Sequence, residues 1–519
     1  MSGAATVASA LARADDRLNP ILVKEVRQAL RGLYFKITFL FALFSAASVG
    51  TIVLLATSGE GSGTAGPAFF IAVFSCLAAA AHCFVPFLAF VSMSGEWDEN
   101  TYDLLVLSDL RPRQIVFGKL LSAGTVALLH YSAFGPFLVM AFLLRGVDLL
   151  SVMILIGGSA LYSLTLSAVA IALSTFARNR FLRVALMAFL AALLVFATVM
   201  SIALAFALVE EPEILREPLA PFAVIGAALS AATVLAFAIA VACGRLAHAE
   251  ENRSSGLRAI AAGVVVLLIA WSAAFAIEIG QPAFVLGPLT FIPFLLLVPF
   301  AFFATESEKL GRRVRLHVPK GRLAAAVAAP FLPGGGRGIL LFLVVALAAA
   351  AAGAVGYSLH PTSGALGADR DRIAAGCLVA WLYALAYVTL PTLLSSRWQE
   401  TPRGRLRARL FFLFCFVGPL FVPSLFGFFL GIDALLETRH VGNPFWAVFR
   451  GWNGTGPRTD GVVIVVALVA FAALVLSVPR LTRSLKEVRD ASERRREREG
   501  KSIAAEPLAG SPSDAAPVA

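Results

Sequence analysis

The stretch Gly95-Glu96-Trp97-Asp98-Glu99-Asn100-Thr101-Tyr102-Asp103-Leu104-Leu105-Val106-Leu107-Ser108-Asp109-Leu110-Arg111-Pro112-Arg113-Gln114-Ile115-Val116-Phe117-Gly118-Lys119 lies between two long apolar runs, roughly 67–92 and 115–144. Each run is longer than the ~20 residues a helix needs to cross a bilayer, so the stretch is the connection between two membrane spans. A plain connection would be shorter and less patterned. This one opens on a cluster of acids and continues with Thr101-Tyr102-Asp103-Leu104-Leu105, which reads as a short helix with a leucine ridge. Arg111-Pro112 then restarts a helix, with Pro112 in the first turn, where its missing N–H costs nothing. Leu104 and Leu105 are apolar residues that a water-facing loop has no reason to present unless they pack on something.

The rest of the chain has the same character. Of its 519 residues, 59% are hydrophobic and 14% charged, against about 25% charged in a soluble globular protein. The mean hydropathy is +0.83. The reading is an all-α, polytopic membrane protein of about twelve spans, near 34–58, 67–92, 115–144, 149–176, 182–208, 221–246, 257–279, 283–304, 338–358, 373–395, 408–430 and 461–479. Residues 1–19 carry Arg13, Asp15, Asp16 and Arg17 and no apolar h-region, so they read as a disordered cytoplasmic tail, and the first span is expected to act as its own insertion signal. Residues 20–33 read as an amphipathic helix on the membrane face. Leu22, Val26, Ala29, Leu30 and Leu33 recur at helical spacing, opposite Lys24, Gln28 and Arg31.

The net charge of +11 does not mark a nucleic-acid binder, because the cations flank the apolar runs instead of forming one patch. They also fix the orientation. Of 43 Lys and Arg, seven (Arg145, Arg216, Arg370, Arg372, Arg439, Arg450 and Arg458) fall on one side under strict alternation, and the other 36 fall with the N-terminus. By the positive-inside rule both termini are cytoplasmic. The Ala/Arg/Gly-rich usage points to a bacterial source, which places the chain in the inner membrane.

Residues 20–250 form a first six-span region and 251–480 a second, without a convincing repeat between them. The second-region loop 305–337 occupies the place corresponding to the quoted stretch but lacks its Thr-x-acid-Leu-Leu order. The outer loop 431–460 carries Phe445, Trp446 and Trp452, residues that suit an interface or an ordinary folded loop equally. Residues 481–519 read as a charged cytoplasmic tail that starts helical and is disordered beyond about 500.

Several chemistries lack their residues. Gly61-Ser62-Gly63-Thr64-Ala65-Gly66 and Gly334-Gly335-Gly336-Arg337 are Gly-rich turns without the Lys-Ser/Thr ending of a phosphate-binding loop. Five cysteines (Cys76, Cys83, Cys243, Cys377 and Cys415) fall within spans without CxxC spacing, so they read as packing residues. No metal cluster or paired carboxylates stand out, and the chain is not read as an enzyme. His82 and His130 lie near mid-span and are the intramembrane polar candidates, weighed against a plain packing role.

The quoted stretch resembles the loop after the second span in permease subunits of ATP-binding-cassette (ABC) exporters of the second type. That loop follows a pattern close to E-R-E-R-G-T-L-E-L-L…P-L-S…E-I…G-K. Glu96, Thr101, Asp103, Leu104, Leu105, Leu110, Gln114, Ile115, Gly118 and Lys119 follow the same order. Trp97 and Glu99 stand at the family's Arg positions and Asn100 at its Gly. The resemblance implies a coupling helix that docks on a separate ATPase subunit through Glu96, Thr101, Asp103, Leu104 and Leu105. It also implies an N-terminal elbow helix anchored by Lys24, Arg27 and Arg31. ATP and Mg would be bound by the partner ATPase, with no cofactor in this chain. Two other readings are a twelve-span secondary transporter driven by an ion gradient and a non-transporting scaffold. The first would place charged or broken helices at the midplane.

Overall fold

The computed structural model describes residues 20–57, 65–98, 110–145, 147–177, 179–247, 251–280, 285–359, 365–430, 443, 445, 447–448 and 458–504. The described residues are helical throughout and contain no strand. The chain divides into two compact units, Met1–Ala247 and His248–Ala519.

In the first unit the helices are α1 (Pro20–Arg31), α2 (Leu33–Thr57), α3 (Ala65–Ala78), α4 (Val85–Asp98), α5 (Pro112–Leu143), α6 (Leu149–Ser174), α7 (Arg180–Glu210) and α8 (Ala220–Leu246). Helices α3 and α4 belong to one continuous rod, joined by a π-helical segment, Ala79–Phe84. The widening has a local cause. Pro86 has no N–H and its ring would crowd the carbonyl four residues back. The ladder shifts instead to a wider register, with the Val85 N–H donating to the Ala80 carbonyl. Helix α5 starts at Pro112, and the Arg111 N–H just before it donates to Gln114 Oε1 at 2.9 Å. Helix α6 is capped by Asp148, whose carboxylate accepts from the backbone N–H of Leu150 and Ser151.

The second unit holds α9 (Ser255–Ile279), α10 (Leu286–Ala304), the short α11 (Arg312–His317) and α12 (Arg322–Ala328), then α13 (Gly335–Leu359), α14 (Ala365–Leu394), α15 (Pro402–Leu430) and the 47-residue α16 (Arg458–Ala504). Helix α16 packs along α14 and α13. Helix α9 stops on Gly280 in the left-handed conformation (φ 69°).

Among the described residues, ten helices are long and apolar enough to cross a membrane, and the chain is a multi-pass membrane protein on that ground. Two of the twelve expected spans are not among the ten. One, near 283–304, is the 19-residue α10, interrupted by Pro293 and Pro299. The other, near 408–430, lies in α15, most of whose side chains after Phe416 are outside the described residues.

The charged run after residue 480 continues α16 to Ala504, with Ser484, Val488, Ala491 and Ser492 buried. Val488 and Ala491 join Leu310, Val314, Val318, Ala325 and Ala329 in one apolar cluster. The loop 305–337 thus folds onto the extension of α16.

Candidate functional site

Three helices of the first unit meet at the base of loop 97–111. Helix α4 brings Ser92 and Glu96, α5 brings Lys119 and α1 brings Glu25. Lys119 Nζ lies 2.8 Å from Glu25 Oε1, 2.9 Å from Glu96 Oε1 and 2.8 Å from Ser92 Oγ. Ser92 Oγ in turn donates a hydrogen bond to Glu25 Oε2 at 2.6 Å. All three N–H donors of the ammonium thereby have acceptors. That is the condition for burying a lysine whose side chain is only 1% exposed. Lys24, half-exposed at the rim, stands 3.9 Å from Glu96 and balances the second carboxylate. Beside the knot, a cavity of about 440 Å³ is bounded by Gln28, Tyr34, Phe35, Leu88 and Gly95.

Glu96 is therefore a buried anchor at the root of the loop and not a surface contact. It and Lys119, the first and last charged members of the motif, hold each other. Thr101, Asp103, Leu104 and Leu105 lie outside the described residues. On α1, Lys24, Arg27 and Arg31 are exposed, whereas Ile21 and Glu25 are buried and the helix packs against α5. The side pointing into the protein is marked by an acid, which the pattern of apolar residues did not reveal. Glu25 could have been noticed as the one acid in a basic twelve-residue helix.

His82 and His130 are both buried but occupy different surroundings. His82, on the π-helical segment, has Nε2 3.0 Å from Ser159 Oγ, and Tyr131 Oη is 2.6 Å from the same oxygen. Tyr162 meets the imidazole edge-on at 5.2 Å between ring centres. Ser163 Oγ donates to the Ala81 carbonyl at 2.6 Å, satisfying an acceptor within the widened turn. His130 Nδ1 donates to the Val126 carbonyl at 2.8 Å, and its ring packs against Phe35 and Phe39. His82 Nδ1 and His130 Nε2 have no hydrogen-bond partner among the described residues.

The second unit carries a larger polar knot at one end of its helices. Arg258 is fully buried. It donates to the carbonyls of Pro330 (3.0 Å), Leu332 (2.7 Å) and Gly334 (2.9 Å) and pairs with Glu306 at 2.7 Å. Arg337, equally buried, donates to the carbonyls of Pro333 and Glu308, both at 2.7 Å, and of Ser484 at 3.0 Å. Glu308 accepts from the Gly336 N–H, Ser484 Oγ and Arg480. Arg480 also donates to the Ala304 carbonyl at 3.0 Å and to Gln399. The run Gly334-Gly335-Gly336 is required by this packing. A Cβ at Gly335 would collide with the Arg480 guanidinium and come within 2.6 Å of the Ala304 carbonyl. The sequence signal for this knot was the recurrence of Arg258, Glu306, Glu308, Arg337 and Arg480 within a turn or two of one end of several spans.

Among the described residues, no group of His, Cys, Asp and Glu is placed to hold a metal ion. Comparison with known families, with curated proteins and with solved structures finds no match to this chain.

Proposed function

We propose that the chain is the membrane-spanning permease of an ABC transporter, an exporter of the bacterial inner membrane powered by a separate ATPase subunit. The observation that supports this reading most is the Glu25–Lys119–Glu96 knot. A loop that merely connects two helices needs no lock at both of its roots. A loop that passes a displacement into the membrane does, because slack at either root would absorb the motion. Here Glu96 and Lys119 fix the roots to each other and Glu25 fixes both to α1. A push on loop 97–111 would move α4, α5 and α1 together.

On this reading the ATPase supplies differential binding free energy between two arrangements of the spans, which is what shifts an equilibrium between inward and outward openings. The ridge Thr101–Leu105 makes the contact, and the knot carries the load. Isolation of the tagged chain in mild detergent tests the proposal. A soluble ATPase should accompany it and hydrolyse ATP, while the chain stripped of that partner should not. Repeated recovery of the chain alone, with transport driven by a proton or sodium gradient, would favour the secondary transporter.

A further inference from the structure

The cavity beside the Glu25–Lys119–Glu96 knot carries one polarity gradient on every helix that lines it. On α5 the order is Lys119, Ser122, Ala123, Val126. On α4 it is Glu96, Ser92, Leu88, Val85, and from α1 into α2 it is Glu25, Gln28, Ala29, Phe35. The three gradients point the same way. Lys119 meets Glu25 and Glu96 at the charged end, and Phe35 packs on His130 of α5 at the apolar end. The charged end stands at the roots of loop 97–111, and the apolar end lies within candidate membrane spans. From Lys119 to Val126 is ~10 Å of helix, and from Glu96 to Val85 ~16 Å. One leaflet of hydrocarbon is ~15 Å deep.

Ser122 lines the cavity and is only 6% exposed, yet its hydroxyl has no hydrogen-bond partner among the described residues. Ser92, by contrast, is engaged by Glu25 and Lys119. A buried hydroxyl costs free energy unless it is paired, and this one sits about one turn deeper than the Lys119 ammonium. Two ammoniums (Lys24, Lys119) and two carboxylates (Glu25, Glu96) line the cavity, so the complementary head group is net neutral. The Lys24 side chain is 56% exposed and stands 3.9 Å from Glu96, which leaves it open to a ligand's anion. Tyr34 and Val91 line the cavity and are 40% and 39% exposed, so it opens sideways at the level of Ser92. An ion would use only the charged end and a hydrocarbon only the apolar end. Both ends, with a hydroxyl between them, fit an amphiphile.

We propose that this cavity binds a glycerophospholipid with a primary ammonium head, drawn from the leaflet on the side of loop 97–111. The phosphate meets Lys24, and the ammonium donates to Glu25 and Glu96. Ser122 donates to an ester carbonyl, and one acyl chain passes Phe35 and Val126 into the bilayer. A trimethylated head has no N–H for the carboxylates, and a glycerol head brings an unmatched negative charge. The site is independent of the permease reading and holds whether or not an ATPase docks. The test uses the full chain, purified in mild detergent, delipidated and titrated with dioleoyl phosphatidylethanolamine, phosphatidylcholine or phosphatidylglycerol. Native mass spectrometry counts the bound lipid. The ethanolamine lipid should bind about tenfold more tightly than the other two, the worth of one charge-assisted hydrogen bond. Ser122→Ala and Lys24→Gln should each weaken it about fivefold, with the lipid-free melting temperature unchanged. Equal affinity for the three lipids, or variants that bind like wild type, would overturn the site. Displacement by an equal concentration of free phosphoethanolamine would overturn the lipid in favour of a small zwitterion. A chain that binds the lipid as expected but recruits no ATPase would remove the permease reading and leave this site standing.

Discussion

Glu96 and Lys119 stand at opposite ends of the loop that joins α4 to α5, and their charged atoms are 2.9 Å apart in the interior of the first unit. Lys119 reaches Glu25 on α1 at 2.8 Å in the same act. One ammonium thus sets the relative positions of three helices. Breaking a buried pair from one side leaves the other charge uncompensated, which is costlier than never having had the pair.

Lys119→Met should therefore lower the stability of the detergent-solubilised chain by about 3–5 kcal/mol, since Glu25 and Glu96 would both lose the buried ammonium that pairs with them. Adding Glu25→Gln and Glu96→Gln to the same chain should recover most of the loss. Thermal unfolding of the single and triple variants checks this. A single variant that melts like wild type would mean that the knot does not hold the helices.

Gly335→Ala should destabilise the second unit by about 1–3 kcal/mol, because the added methyl meets the Arg480 guanidinium and the Ala304 carbonyl, neither of which has room to retreat. Gly263→Ala, inside α9 with nothing within 4 Å of the new Cβ, should be neutral or stabilising by up to about 1 kcal/mol. Parallel melting curves separate a packing cost from the general effect of replacing a helical glycine.

What the sequence disclosed and what it withheld divide along range. Spans were legible because a run of about twenty apolar residues is a local fact. The start of α5 was legible because Pro112 follows Arg111 directly. The knots were not, since Lys119 finds Glu25 94 positions away and Glu308 finds Ser484 176 positions away. Arg258 and Arg337 look like ordinary flanking cations until the carbonyls of the Pro330–Gly334 turn are seen around them. The π-helical segment was half-legible. Pro86 is a local cause of disturbance, whereas the partners that satisfy the widened turn, Ser159 and Ser163, lie 77 and 82 positions away from the groups they meet.

The orientation can be checked chemically. With the five native cysteines replaced, Gly454→Cys should react with a membrane-impermeant maleimide added from outside, and Arg498→Cys should react only after permeabilisation. Arg498 is exposed on the last turns of α16, whereas its neighbour Ser492 is buried and donates to the Lys320 carbonyl. The expectation follows from the 36 to 7 division of basic residues. Labelling in the reverse sense would invert the topology and place loop 97–111 on the wrong side for a cytoplasmic partner.

The last prediction concerns Leu104 and Leu105. If they dock on an ATPase, Leu104→Ser with Leu105→Ser should leave expression, membrane insertion and melting temperature of the isolated chain nearly unchanged. The roots of the loop are held by Lys119, paired with Glu96 and Glu25. The same double change should abolish substrate-stimulated ATP hydrolysis in the complex. Two leucines buried in a partner's cleft contribute roughly 2–4 kcal/mol by the area they remove from water, enough to weaken docking by about 30- to 1000-fold. If the ridge instead packs on this chain's own inner loops, the loss falls on the isolated protein, and its melting temperature drops whether or not the ATPase is present. The two outcomes are read from the same pair of samples. A stable, inserted chain that no longer stimulates its partner supports the coupling role. A destabilised one removes the residue-level ground for the permease reading.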